Sequence, residues 1–116
     1  MVKNLNFAKF KKNIIGKRQT CVVKFYSDSC PLCVNLAPLY EELSERYAGR
    51  AIFYKVDTFK EKELAEIFSD DGVPTIYLFH NGNYGEIPFP YDDPDGLTGY
   101  READITDYIE ERIGNA

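Results

Sequence analysis

Between Cys21 and Asp57 the chain carries two compact β-prone runs, "CVVKFY" and "AIFYKVD", with one long amphipathic stretch between them. Short runs this rich in Val, Ile, Phe and Tyr read as buried strands. The intervening "PLCVNLAPLYEELSERYAGR" sets Leu32, Leu36, Leu39, Leu43 and Tyr47 on one helical face and ends at Gly49, so its spacing predicts a helix over about 31–48. Pro38 lies inside that helix and is expected to kink it. Strand, helix and strand in this order restrict the chain to an α/β fold.

The flanks extend the pattern. "FAKFKKNII" places Phe7, Phe10 and Ile14 at helical spacing behind a capping Asn6, preceded at most by a short strand at 2–5. A short amphipathic helix is expected over 60–68. Thr75 to His80 reads as a strand, Asn81 and Gly82 as a turn, and 84–87 as the returning strand. "READITDYIEERI", with Ile105, Tyr108, Ile109 and Arg112 in helical register, closes the chain. The expected architecture is one domain, 1–116, with a central mixed sheet of four to five strands flanked by helices. Only "PFPYDDPDGL", 88–97, stands outside this plan: it holds three of the six prolines and three aspartates, Asp92, Asp93 and Asp95, and reads as an ordered or half-ordered loop.

Two of the three cysteines, Cys30 and Cys33, fall at the junction between the first buried strand and the long helix. Pro31 suits the first helical position, which makes Cys30 the N-cap. Its sulfur then faces unpaired N–H groups and the positive end of the helix dipole, and both favour thiolate over thiol. Cys33, one turn on, is within disulfide reach and more sheltered. An exposed attacking sulfur and a sheltered resolving one fit reversible thiol–disulfide exchange. Half a metal site and two small core residues are the alternatives. A zinc site needs four ligands, and the remaining candidates, Cys21 and His80, lie on different strands, so no metal is expected.

Composition decides what the pair is not for. A chain of 116 residues with 44% hydrophobic content buries a core without covalent staples. A bridge closing so short a loop adds only about 2 kcal/mol. An odd cysteine count does not fit a secreted disulfide scaffold. The basic N-terminal segment has no apolar run of signal-peptide length, and no stretch approaches the ~18 apolar residues of a membrane span. A net charge of -5 argues against nucleic acid or an anionic membrane as partner. A monomeric cytoplasmic protein is expected, unless a leader peptide has been removed.

The order and spacing of "VVKFYSDSCPLC", Pro38 five residues after Cys33, "KVD", "GVPT" at 72–75, "LFHNG" and Gly99 resemble the thioredoxin family over residues 2–113. "TGYREADITDYI" is similar to the end of protein disulfide isomerase catalytic domains rather more than to that of bacterial thioredoxins. The resemblance implies a thioredoxin fold and gives Cys30 the role of nucleophile and Cys33 that of resolving cysteine. It implies that Pro74 is a cis-proline facing them, that the Val73 backbone beside it binds substrate as a short strand, and that Gly99 lies next to this groove. It implies no cofactor.

The departures concern the residues that tune such a site. Ser29 stands where the family usually has an aromatic residue, and Pro31 and Leu32 occupy the positions between the cysteines. Lys24 falls where those enzymes usually carry a buried acid thought to assist proton transfer at the resolving cysteine. An ammonium there favours nearby thiolates while desolvation drives it toward neutral, and a side chain that escapes to solvent does neither. Cys21 reads as a small core residue, His80 as a turn-flanking histidine and Asp57 as a capping or loop residue near the active end of the sheet.

Two functions follow from the resemblance. The first is an enzyme that exchanges electrons with protein disulfides through Cys30 and Cys33. Without a nucleotide-binding glycine motif it needs a separate reductase or oxidant for recycling. The second is a peptide-binding adaptor with slow or no turnover, which keeps the groove beside Pro74 while Lys24 and Ser29 replace the usual groups. The 88–97 loop is expected to border that groove.

Overall fold

The computed structural model describes residues 1–114; Asn115 and Ala116, included in the expected 1–116 domain, lie outside the described residues. Its elements are β1 (Lys3–Asn4), α1 (Phe7–Lys9, continuing as a π-helix Phe10–Gly16), β2 (Cys21–Tyr26), α2 (Pro31–Arg46), β3 (Ile52–Asp57), α3 (Lys62–Phe68), β4 (Thr75–His80), β5 (Asn83–Glu86) and α4 (Glu102–Ile113). The strands form one five-stranded sheet in the order β1-β3-β2-β4-β5. β1 and β2 run parallel to β3, while β4 is antiparallel to both β2 and β5. The sheet is therefore mixed, and the thioredoxin fold expected from the sequence is the one observed.

Alternation along the strands divides the core into two layers. Val22, Phe53, Ile76 and Leu78 pack with Leu36, Tyr40 and Leu43 of α2 and Ile105 and Ile109 of α4. Cys21, Val23, Phe25, Tyr54, Val56 and Phe79 pack on the opposite face with Phe10, Ile14 and Leu64. β2, central and covered on both sides, is buried along all but its last residue, which is why its sequence is a continuous apolar run broken only by Lys24. Tyr40 stitches α2 to the sheet: its hydroxyl donates to the Tyr54 carbonyl at 2.7 Å and lies 3.1 Å from that of Val22.

The first helix differs from its sequence reading, and α2 follows its own. The first leaves α geometry after one turn, with the Lys17 N–H donating to the Lys12 carbonyl at 3.0 Å, five residues back. The wider turn buries both Phe10 and Ile14 ahead of the β-branched Ile14–Ile15 pair, which crowds a tighter turn. α2 continues through Pro38, whose missing N–H leaves the Val34 carbonyl without its helical donor. The 88–97 loop is held at several points. Asp95 and Gly99 exchange backbone hydrogen bonds at 2.8 and 2.9 Å, the Asn35 side-chain amide of α2 donates to the Leu97 carbonyl at 2.9 Å, and the Arg101 guanidinium donates to the Asp93 carbonyl at 2.6 Å.

Candidate active site

β2 delivers the chain to the C-terminal end of the sheet at Tyr26, a turn follows, and α2 begins at Pro31 with extended Cys30 as its N-cap. The Cys33 N–H donates to the Cys30 Sγ at 3.2 Å, while the Cys30 carbonyl accepts the first helical bond from Val34 at 3.0 Å. Cys30 is half-buried and Cys33 is 3% exposed, both as free thiols. Only one of the two sulfurs is open to a macromolecular substrate. Burial pushes the Cys33 thiol up to about 12; the Cys30 sulfur adds to this, and the Ser27 backbone and the Lys24 ammonium oppose it. Ser29, exposed beside Cys30, bonds to Ser27, with the two hydroxyls 2.9 Å apart.

Facing Cys30 is the segment before β4. The Val73–Pro74 peptide is cis, and the Cys30 thiol lies 3.8 Å from the Val73 carbonyl. The Thr75 hydroxyl donates to the Gly72 carbonyl at 2.6 Å and braces this turn. Gly99 stands at φ +75, and a β-carbon on it would lie 2.7 Å from Phe89 Cε2 and 3.5 Å from Leu32 Cδ1. Leu32, from between the two cysteines, thus meets the 88–97 loop across a glycine that no other residue replaces without strain. A groove of about 230 Å³ runs beside Pro74, lined by Leu32, Val73, Phe89 and Tyr91 together with Asp70, Asp71 and Glu86. The loop reaches the groove through its aromatic rings. Two of its aspartates turn elsewhere: the Asp95 carboxylate accepts the Leu97 and Thr98 N–H groups, and that of Asp93 lies 3.5 Å from Arg101.

Lys24 does not escape to solvent. It is 3% exposed, with its ammonium 4.6 Å above the Tyr40 ring and 5.8 Å from that of Tyr26. β2 and β3 pair Lys24 with Lys55, whose ammonium lies 5.7 Å from the same Tyr26 ring. Both lysines line a cleft with Asp28, Ala37 and Cys33 on the α2 side of the sheet. Burial pulls the Lys24 ammonium down to about 8; Cys33 and Glu41 resist, and Lys55 reinforces the drop. Lys24 therefore touches the surroundings of Cys33, and Cys30 faces Val73 on the other side of the motif.

The remaining candidates fall away from this centre. Cys21 is fully buried at the opposite end of β2, paired with Phe79, and burial alone pushes its thiol up to about 12. His80 ends β4 at that same far end, its Nδ1 2.7 Å from the Thr20 hydroxyl. The carboxylate of Asp57 accepts the Phe59 N–H at 2.9 Å, the loop role expected of it. Sequence reasoning missed Lys55, which the shared β2–β3 register brings beside Lys24, and the groove acids Asp70, Asp71 and Glu86. The last three come from two separate segments and carry no motif; an "SDDG" turn directly before "VPT" was the available signal.

The family model described as thioredoxin matches residues 1–110, and the chain belongs to the thioredoxin family. Bloodstream-specific protein 2 of Trypanosoma brucei brucei is 37% identical over 103 residues, which cover 88% of this chain and 19% of that protein. Protein disulfide isomerase-like 2-2 of Oryza sativa subsp. japonica is 30% identical over 109 residues, 92% of this chain and 28% of the relative. A thioredoxin of Borreliella burgdorferi is 38% identical over 55 residues, 47% of each chain. The chain thus spans between a fifth and a half of the length of these relatives. Among solved structures, a mutant thioredoxin from Halobacterium salinarum NRC-1 superposes with a TM-score of 0.76 at 25% identity, over 99% of this chain and 93% of that one.

Proposed function

We propose that the chain is a thiol–disulfide oxidoreductase acting on protein disulfides through Cys30 and Cys33. The observation that carries this reading is the asymmetric pair at the start of α2: an accessible sulfur receiving the Cys33 N–H at 3.2 Å, with a buried thiol one turn behind it. In the reducing direction the Cys30 thiolate attacks one sulfur of the substrate disulfide, and the other leaves as a thiolate that takes up a proton. Cys33 then loses its proton and attacks the Cys30 sulfur. The second substrate sulfur is released, and a Cys30–Cys33 disulfide holds the two-electron oxidation. A separate dithiol reductase restores the pair; with an oxidant partner the same steps run backward.

Val73 and Pro74 position the substrate chain against Cys30, and Leu32 and Gly99 form the opposite rim. Lys24 acts on the second step, because its charge favours the Cys33 thiolate against the burial that opposes it. Insulin reduction driven by dithiothreitol tests the reading. A rate within about tenfold of an ordinary thioredoxin supports it, and no acceleration leaves a peptide-binding adaptor. The reduction potential of the pair then fixes the direction of electron flow in a given compartment.

A further inference from the structure

Building on the exchange activity proposed above, we infer that the groove beside Cys30 selects substrate segments carrying lysine or arginine next to the target cysteine. Three acidic side chains line it, Asp70 and Asp71 from the turn after α3 and Glu86 from β5, and no basic residue shares that lining. Three basic side chains outside that lining are engaged elsewhere. Arg101 is held by the Asp93 carbonyl at 2.6 Å, and Lys24 and Lys55 line a different cleft, with Cys33. The same lining carries Phe89 and Tyr91, rings 4.9 Å apart and tilted by 51°, with Tyr91 77% exposed.

Carboxylates and aromatic rings that share one groove can hold a cation twice over, by charge and by ring quadrupole. Tyr77 lines the same groove directly opposite Glu86 in the β4–β5 pairing, and burial first, then Glu86, push its hydroxyl up. An acidic segment meets repulsion from three carboxylates, so discrimination comes from rejection as well as attraction. The charges are solvent-exposed, and within a Debye length of about 8 Å they also steer the encounter.

The test uses the whole chain and two fluorescent decapeptides of identical core, one flanked by lysine and arginine and one by aspartate and glutamate. Each is made with a mixed-disulfide cysteine for kinetics and with serine at that position for binding. The basic peptide is expected to bind about tenfold more tightly and to react faster by a similar factor. That preference should fall below about threefold near 0.5 M salt. Asp70→Asn combined with Asp71→Asn and Glu86→Gln should remove most of it, and Tyr91→Ala should reduce it about twofold to threefold. Equal binding of the two serine peptides to the wild-type chain overturns the inference, as does a preference that the triple variant keeps. Reduction of neutral bis(2-hydroxyethyl) disulfide is measured in parallel: no reaction there sinks the exchange activity itself, while the serine peptides still decide the charge preference.

Discussion

Cys21 and Cys33 are both buried, both belong to the same β2–α2 unit, and both thiols are pushed up to about 12, yet they occupy different chemical worlds. At the far end of the sheet, burial alone sets the state of Cys21, among Val23, Tyr54 and Phe79. At the near end, Cys33 feels burial together with a second sulfur, a backbone donor and a lysine charge. Burial makes a thiol inert; the polar groups placed around it decide whether that inertness is reversible.

The largest expected effect separates the two ends outright. Cys30→Ser should lower the rate of insulin reduction on the order of a thousandfold or more, whereas Cys21→Ser should leave it within about twofold. An equal loss in both variants would erase the distinction. Iodoacetamide near neutral pH should label Cys30 well before the other two, and Cys33→Ser should trap substrates as lasting mixed disulfides.

Next comes Lys24, the charge that distinguishes the near end. In the folded chain burial lowers it to about 8 from an ordinary 10.5. Between those values the folded side chain has already released a proton that the unfolded one still holds. Lys24 therefore costs stability fully below about pH 8 and stops costing it as the pH rises through 10.5. Lys24→Met should be more stable than wild type near neutral pH by about 3 kcal/mol, with the gap closing over that window in urea titrations at several pH values. The same variant should slow the resolving step by roughly tenfold, since Cys33 loses the charge that opposes its burial. A constant stability gap from pH 7 to 11 would show that the ammonium is already well solvated.

Gly99→Ala should cost about 2 kcal/mol, from a left-handed φ and the contact with Phe89. It should also raise KM for peptide substrates, because Phe89 must shift at the groove. The smallest effect is structural: Cys21→Ser buries a hydroxyl among apolar neighbours and should cost about 1–2 kcal/mol in a melt, with the exchange rate preserved.

How much of this the sequence disclosed depends on whether the information was local. β2, β3 and α2 were legible because strong periodicity and a proline directly after Cys30 fix elements and cap together. Lys24 was noticed as an anomaly in an apolar run, but its fate depended on Tyr40 one helix away and on Lys55 one strand away. Neither partner can be found without the β2–β3 register, and a solvent-escaping lysine has the same sequence. In the 88–97 loop the conspicuous residues of the sequence are the charged Asp92, Asp93 and Asp95. Turn chemistry consumed Asp95 and an arginine consumed Asp93, leaving Phe89 and Tyr91 to meet the groove.

The margins of the sheet carry a consequence of their own. An open strand at a sheet edge invites extended segments of other chains to pair with it. Here one margin is the two-residue β1, bearing Lys3, and the other is the four-residue β5, interrupted by Gly85 and ended by Glu86. Short, charged borders offer few consecutive unpaired backbone groups and resist sticking of one unfolded chain to another. Pairing of copies through the sheet edges is thereby disfavoured, and fibril-like stacking has little template to lengthen.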